Sequence, residues 1–260
     1  MTPDHPFISI DRVTKTYKSR LGLSEALRET SIQISRGEFV CVVGPSGCGK
    51  TTILNMLAGF VEPSTGHIKV ADQEVREPGP DRGVVFQEVG LFNWLTARSN
   101  VEFGLAMKGI PRADRRARAE AVLELTGMLK FADRFPNELS GGMKQRVGLA
   151  RALAPDPDVL LMDEPFAALD AQSRSLMQQE VLKIWKATGK TILFVTHAVD
   201  EALILADRVI VMSANPGRVK EDIRIDLPRP RDDTSESFTR LEKSLRDMVL
   251  TEARAIEFAE

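Results

Sequence analysis

Cysteine is scarce in this chain: Cys41 lies in an apolar run and Cys48 in a Gly-rich loop, and those two are all that 260 residues contain. Neither has metal-ligand spacing, and two are too few for a disulfide scaffold, so a reducing cytosol is the compartment that fits. No apolar run approaches the ~20 residues of a membrane-spanning helix. The stretch Met1 to Ser9 carries Asp4 and lacks a long apolar core, so the chain itself is expected to be soluble. An excess of charge is missing too, with 35 Lys plus Arg against 37 Asp plus Glu and a formal net charge of -2. Composition therefore gives no electrostatic reason to expect nucleic acid or an anionic membrane, and any partner surface must be local. Internal repeats and low-complexity tracts are also absent, so fold class has to come from the pattern of elements.

The pattern that is present is α/β alternation. Residues 7–43 alternate short apolar runs with polar breaks and end in Phe39, Val40, Cys41, Val42 and Val43, a buried strand feeding a Gly-rich loop. A helix is expected from about Lys50 to Ala58, stopped by Gly59 and Pro63, followed by strands at His67–Val70 and Val84–Phe86. From about Leu91 to Ala154 the apolar spacing becomes helical, through Val101, Leu105, Val122, Leu125, Val147, Leu149 and Leu153. Sheet character returns at Val159–Met162, Thr191–Val195 and Val209–Met212, so the α/β core is split by a mostly helical insertion.

After Pro216 and Gly217 the chain is rich in Arg, Asp and Pro through Leu227, Pro228, Arg229, Pro230 and Arg231, which resists regular helix. A last helix is expected to close it. Phe238, Leu241, Leu245, Met248 and Val249 share one face at helical spacing, and packing is favoured over a partner groove. The run Lys108, Arg112, Arg115, Arg116 and Arg118 is interleaved with Asp114 and Glu120 and reads as a solvated helix face.

Three clusters carry chemistry. Gly44, Pro45, Ser46, Gly47, Cys48, Gly49, Lys50 and Thr51 match G-x-x-x-x-G-K-[ST] between an expected strand and an expected helix. Glycines let the backbone wrap phosphate, Lys50 reaches the β- and γ-phosphates, and the Thr51 hydroxyl is a ligand for Mg²⁺. Asp163 and Glu164 end the run Val159 to Met162, at the carboxyl edge of a strand where α/β ligands bind. Asp163 is assigned to Mg²⁺ through its water shell and Glu164 to the attacking water as general base. Leu139, Ser140, Gly141, Gly142 and Met143 then form a second phosphate-type loop: a hydroxyl residue and two glycines opening a helix suit an anion. Two such cradles in one chain need two partners.

With Gln87, Ala168, Leu169, Asp170 and His197, these motifs stand in the order of the nucleotide-binding subunit of an ABC transporter, which the chain resembles over about residues 7–213. The resemblance implies a P-loop NTPase (RecA-like) α/β core with an antiparallel β part and an inserted α-helical subdomain. It divides the chain into a split ATP-binding core, residues 1–87 and 159–215, a helical signature subdomain, 88–158, and a C-terminal Pro/Arg segment with a helix, 216–260. It further implies ATP and Mg²⁺ as ligands and a head-to-tail homodimer. Each ATP then lies between the P-loop of one subunit, Thr52 included, and Ser140, Gly141 and Gly142 of the other.

By the same resemblance Tyr17, the only tyrosine, stacks on adenine; Gln87 contacts Mg²⁺ or water and reports occupancy to the membrane partner; Asp170 belongs to the D-loop; and His197 contacts the γ-phosphate. Phe92, Trp94 and Leu95 border the groove that receives a helix of a transmembrane permease, with core packing as the alternative. The subunit is then peripheral on the cytoplasmic face of the inner membrane, with an extracytoplasmic solute-binding protein as an indirect partner and no nucleic acid.

Trp94-Leu95-Thr96 with Asn100 and Val101, Pro216-Gly217-Arg218 and Pro228-Arg229-Pro230-Arg231 are similar to the nitrate, sulfonate, taurine and bicarbonate importer ATPases. Asn93, Ala97, Arg98 and Asn215 depart from that branch without touching catalysis. Few residues follow Pro216, which disfavours the sugar-importer branch with its extra regulatory domain. One P-loop excludes two fused halves, and the absence of long heptads argues against coiled-coil relatives. The rival readings are the ATPase of an exporter or lipid-transport complex, and an ATP-gated regulatory switch.

Overall fold

The computed structural model describes residues 5–19, 22–214 and 216–257. Asn215, one of the branch departures, lies outside the described residues, as do Asp4 and the outer ends of residues 1–87 and 216–260. In chain order the elements are β1 (Ile8–Ser19), β2 (Gly22–Ile34), β3 (Phe39–Val43), α1 (Lys50–Ala58), β4 (Thr65–Val70), β5 (Gln73–Glu74) and β6 (Arg82–Val85). They continue with α2 (Ala97–Met107), α3 (Arg112–Leu125), α4 (Gly141–Leu153), β7 (Val159–Asp163), α5 (Ala171–Thr188), β8 (Thr191–Thr196), α6 (Val199–Leu205), β9 (Arg208–Ser213), β10 (Arg218–Arg224) and α7 (Glu236–Glu257). The chain divides into two compact units, one built from the segments before Pro80 and from Thr191 onward, the other from Pro80–Lys190.

The first unit holds an antiparallel sheet in the order β2-β1-β4-β5, the antiparallel part that the resemblance implies. Its second sheet runs β10-β9-β3-β8, with β3 parallel to both β8 and β9. Every residue of β3 and of β8 is buried, the continuous apolar pattern of strands covered on both faces. Helix α1 packs against β8, α6 against β3, and α7 against α6 and β9. Phe238 and Leu245 of α7 are fully buried, so its apolar stripe packs inside its own chain.

One strand escapes the sequence pattern. Residues 218–224, read there only as resisting helix, form β10 antiparallel to β9. No residue of β10 is fully buried, so it has no apolar alternation to read; backbone ladder bonds to β9 hold it.

The second unit pairs β6 with β7 in parallel. Its helical cluster closes on Ala97, Val101 and Leu105 of α2, Ala119 and Leu123 of α3, and Val147 and Ala150 of α4. Thr96 caps α2 by accepting the Ser99 N–H, which starts the helix three residues after Trp94. No helix among the described residues is long and apolar enough to cross a membrane.

Candidate functional site

In the first unit the buried strand β3 delivers the chain into residues 44–49, and Gly49 opens α1 with φ 89°, a conformation that costs a side-chain residue strain. No side chain caps α1, so its N-terminal turn offers backbone N–H groups and the positive dipole end to an anion. Lys50 is 6% exposed, and its ammonium donates to the carbonyls of Gly44 at 2.8 Å and Pro45 at 3.0 Å. The charge is thus held at the loop, where a phosphate would meet it. Cys48 Sγ lies 3.9 Å from Lys50 Nζ; burial pushes the thiol pKa up, with Lys50 opposing, so Cys48 is a packing group here rather than a nucleophile. Thr51 is exposed at the helix start and Thr52 is half-buried.

Sequence reasoning missed what lies behind the loop. A methyl group at Gly217 would stand 2.2 Å from the Cys48 carbonyl oxygen and 2.8 Å from that of Ala26, so only glycine fits. Gly217 also bridges to the β2 segment, donating to Ala26 O at 3.2 Å and accepting from Arg28 N at 2.8 Å. The Pro216-Gly217 turn is therefore a buttress for the P-loop, a role its turn composition does not announce.

Tyr17 on β1 is 39% exposed, and Lys15 Nζ lies 5.1 Å from the centroid of its ring while donating to the Glu62 carbonyl at 2.6 Å. His197 follows β8 directly and is exposed. The backbone on both sides of it is anchored through one hydroxyl: Thr196 Oγ1 donates to the buried Glu201 carboxylate at 2.7 Å and accepts the Ala198 N–H at 3.0 Å.

In the second unit Asp163 is the last residue of β7 and Glu164 follows with φ 44°, a left-handed backbone that a glutamate adopts only when its surroundings enforce it. Helix α4 braces this turn: Gln145, almost fully buried, donates its side-chain N–H to the Pro165 carbonyl immediately after Glu164. The same helix also holds the segment that follows Gln87 through Arg151, which donates to Val89 O at 2.5 Å and Gly90 O at 2.8 Å. Gln87 itself is exposed just beyond β6. Both Gln145 and Arg151 were missed as functional residues, although Gln145 lies in the signature stretch; the signal is their polar character on the buried side of an amphipathic helix.

Ser140 is the N-cap of α4, accepting the Met143 N–H at 3.4 Å, and Ser140 and Gly141 are both exposed. The second anion cradle thus lies at the surface. Asp170 caps α5: it accepts from Ser173 N at 2.9 Å and from Ser173 Oγ at 2.7 Å, and these bonds lower its pKa. Asn100, fully buried, folds the branch-marking segment by accepting from Phe92 N at 2.8 Å and donating to the carbonyls of Phe92, Leu95 and Thr96. That fold leaves Trp94 74% exposed, its ring 5.3 Å from Phe92, which in turn stacks 4.6 Å from Phe103. The structure thus gathers the P-loop, Tyr17 and His197 into the first unit, and Gln87, the Ser140 loop, Asp163, Glu164 and Asp170 into the second.

The P-loop residues fit a phosphate group. A Cβ at Gly44 would stand 2.7 Å from both Cys48 Sγ and Met212 O, so only glycine lets the loop pack there, and the Thr51 hydroxyl at the start of α1 is the kind of hard oxygen donor Mg²⁺ takes.

Comparison with known proteins agrees. The family model described as ABC transporter matches residues 27–167. An ABC transporter ATP-binding protein of Methanocaldococcus jannaschii is 47% identical over 94% of this chain and 92% of its own length. The taurine import ATP-binding protein TauB of Jannaschia sp. is 51% identical over 78% of this chain and 76% of its own length. Among solved structures, the dimeric ATP-binding cassette in a post-hydrolysis state with ADP and Pi superposes with a TM-score of 0.74 at 34% identity, over 84% of this chain and 98% of that one. The Clostridium perfringens cbiO1 structure, part of the cbiONQ transporter complex, gives 0.78 at 27% identity over 98% and 99%. The family model and these relatives place the chain in the family of ATP-hydrolysing, ATP-binding subunits of ABC transporters, in the branch that includes the taurine import ATP-binding proteins.

Proposed function

We propose that this subunit dimerises head to tail on ATP, closes, hydrolyses and reopens, and so drives a paired permease that imports a small solute such as taurine or another sulfonate. The observation that carries the reading is the surface position of Ser140 and Gly141 at the N-terminus of α4: an anion cradle turned to solvent suits a phosphate brought by a second copy. Relatives solved as dimeric cassettes support it.

In this reading Gly44 to Thr52 wrap the phosphates, Lys50 balances charge on the β- and γ-phosphates, and Tyr17 stacks on adenine. Thr51, Asp163 and Gln87 hold Mg²⁺, which when bound spreads the negative charge of the phosphates. Glu164 takes the proton of the attacking water, His197 and the opposing Ser140-Gly141-Gly142 loop clamp the γ-phosphoryl, and Asp170 completes the closed interface. Residues 1–87 with 159–215 are the split core and 88–158 the signature subdomain. The aromatic cluster of Phe92, Trp94 and Phe103 is the permease surface, because an exposed tryptophan braced by Phe92, which itself packs on Phe103, is a docking feature rather than a core one. Association with the membrane is peripheral, and the solute-binding protein acts through the permease.

The test is Glu164→Gln and Ser140→Arg with light scattering and turnover. Glu164→Gln keeps ATP binding and accumulates ATP-bound dimer while turnover collapses; Ser140→Arg binds ATP normally and stays monomeric. Wild-type turnover in the first, or unchanged ATP-dependent dimerisation in the second, defeats the reading. Stimulation of the reconstituted complex by a taurine-loaded binding protein tests its import direction.

A further inference from the structure

The ATP cycle makes no use of Pro228-Arg229-Pro230-Arg231, yet both arginines are spent on one small helix. Helix α6 follows His197 with only Ala198 between them, and its seven residues are too few to be stable without outside support. Its last carbonyls have no partner inside the helix. Ala202 O takes the Ala206 N–H, whereas three of the remaining carbonyls at this end are served from the C-terminal segment: Arg231 Nη1 donates to Leu203 O and, at 2.6 Å, to Ala206 O, and Arg229 Nη2 donates to Leu205 O at 2.6 Å. Cations also suit this end of the helix dipole.

The arginines tie the helix to other parts of the first unit. Arg231 Nε and Nη2 donate to Leu227 O at 3.2 Å and Ile225 O at 3.4 Å, so one planar group gathers four carbonyls, which a lysine cannot copy. Arg229 pairs with Asp207, whose other oxygen accepts the Phe39 N–H at 3.0 Å, at the first residue of the strand that leads into the P-loop. The helix after the switch histidine is thereby fastened to the strand before the phosphate loop. Burial, with Arg229 beside it, lowers the pKa of Arg231 to about 10, which leaves it a cation at neutral pH.

We propose that Arg231, with Arg229, is a positioning residue for ATP hydrolysis, setting His197 by holding the carbonyl end of α6. The inference rests on the reading of His197 as a γ-phosphate contact.

It is tested on the full chain with Arg231→Met, Arg231→Lys and His197→Ala, measuring kcat, KM and ATP dissociation constant together with amide hydrogen exchange over residues 198–206 and 50–58. Arg231→Met is expected to lower kcat about tenfold with ATP affinity within about twofold of wild type, and to speed exchange in 198–206 while leaving 50–58 unchanged, since the lost bonds lie at α6. Arg231→Lys, which restores charge but not the fork, falls between the two and decides the matter if the methionine variant does not fold. Wild-type kcat in the arginine variants while His197→Ala loses turnover overturns the proposal and leaves the histidine reading intact. Exchange that quickens equally in both segments makes Arg231 a general stability residue and overturns it as well. Full turnover in His197→Ala removes the parent reading and the proposal with it.

Discussion

Gly217→Ala adds one methyl group, and the structure says where it goes: 2.2 Å from Cys48 O and 2.8 Å from both Ala26 O and Cys48 C. All three are backbone atoms, so no side chain can swing away. The Cys48 carbonyl must retreat by about 0.8 Å to reach the 3.0 Å inside which a Cβ does not approach. Forcing a methyl group into packed structure costs about 1–3 kcal/mol, with part of the displacement borne by the P-loop itself. For a chain of this length each kcal/mol lowers Tm by ~2–4 °C, so a fall of roughly 2–12 °C is expected in thermal denaturation. The displaced loop also loses aim: one misdirected N–H to a phosphate is worth about 1.5–3 kcal/mol, or about ten- to a hundredfold in ATP affinity by equilibrium titration. Gly104→Ala is the control, because its nearest neighbour, Pro155 Cγ, is 3.6 Å away and the site lies inside α2. There the helix gains about 0.5–1 kcal/mol and ATP binding is untouched. If Gly217→Ala binds ATP as tightly as wild type and melts at the same temperature, the buttress argument is wrong.

Other consequences follow from the same geometry. Asn100→Ala strips four hydrogen bonds from the 92–96 loop and should cost about 2–3 kcal/mol by denaturant titration, with altered quenching of Trp94 fluorescence; unchanged stability and quenching would contradict it. Gln145→Leu leaves the Pro165 carbonyl without its buried donor and should depress kcat well before ATP affinity, read from steady-state kinetics beside titration. Equal losses in both would place Gln145 in general packing. Burial lifts the Cys48 thiol above the ordinary cysteine pKa while Lys50 pulls it down, so its alkylation by iodoacetamide should rise at more alkaline pH than that of a free cysteine run alongside, and Lys50→Met should shift the profile further upward. A profile that plateaus at or below the pH of the free-cysteine control refutes this.

How far the site was legible depended on whether the signal was local. Lys50 to Ala58 is a helix because glycines release it and an apolar strand feeds it, and each cue lies within a few positions of the next. The strands at Thr65–Val70 and Arg82–Val85 were visible for the same reason, displaced by a residue or two at their ends. Strand β10 was not, since an edge strand held by backbone bonds leaves no apolar trace in its side chains. The acid pair after Met162 could be recognised from sequence, but the left-handed turn at Glu164 could not, because the Pro165 carbonyl beside it is held by Gln145 from 20 residues away.

The sequence by itself determined the family and the candidate motifs: the phosphate loop, the acid pair, the Leu139–Met143 loop and His197 lie in short runs that are read from neighbours in the chain. Only the tertiary structure decided what braces them. Gly217 behind Cys48, Gln145 beneath Glu164, and Arg229 and Arg231 on the carbonyl end of α6 are meetings of segments distant in the chain. Such meetings depend on how strands and helices pack, and composition does not encode packing residue by residue. The Pro-Arg run shows the difference best: in sequence it marks a branch of a family, and in the fold it is where a short helix finds the donors that its own backbone cannot supply.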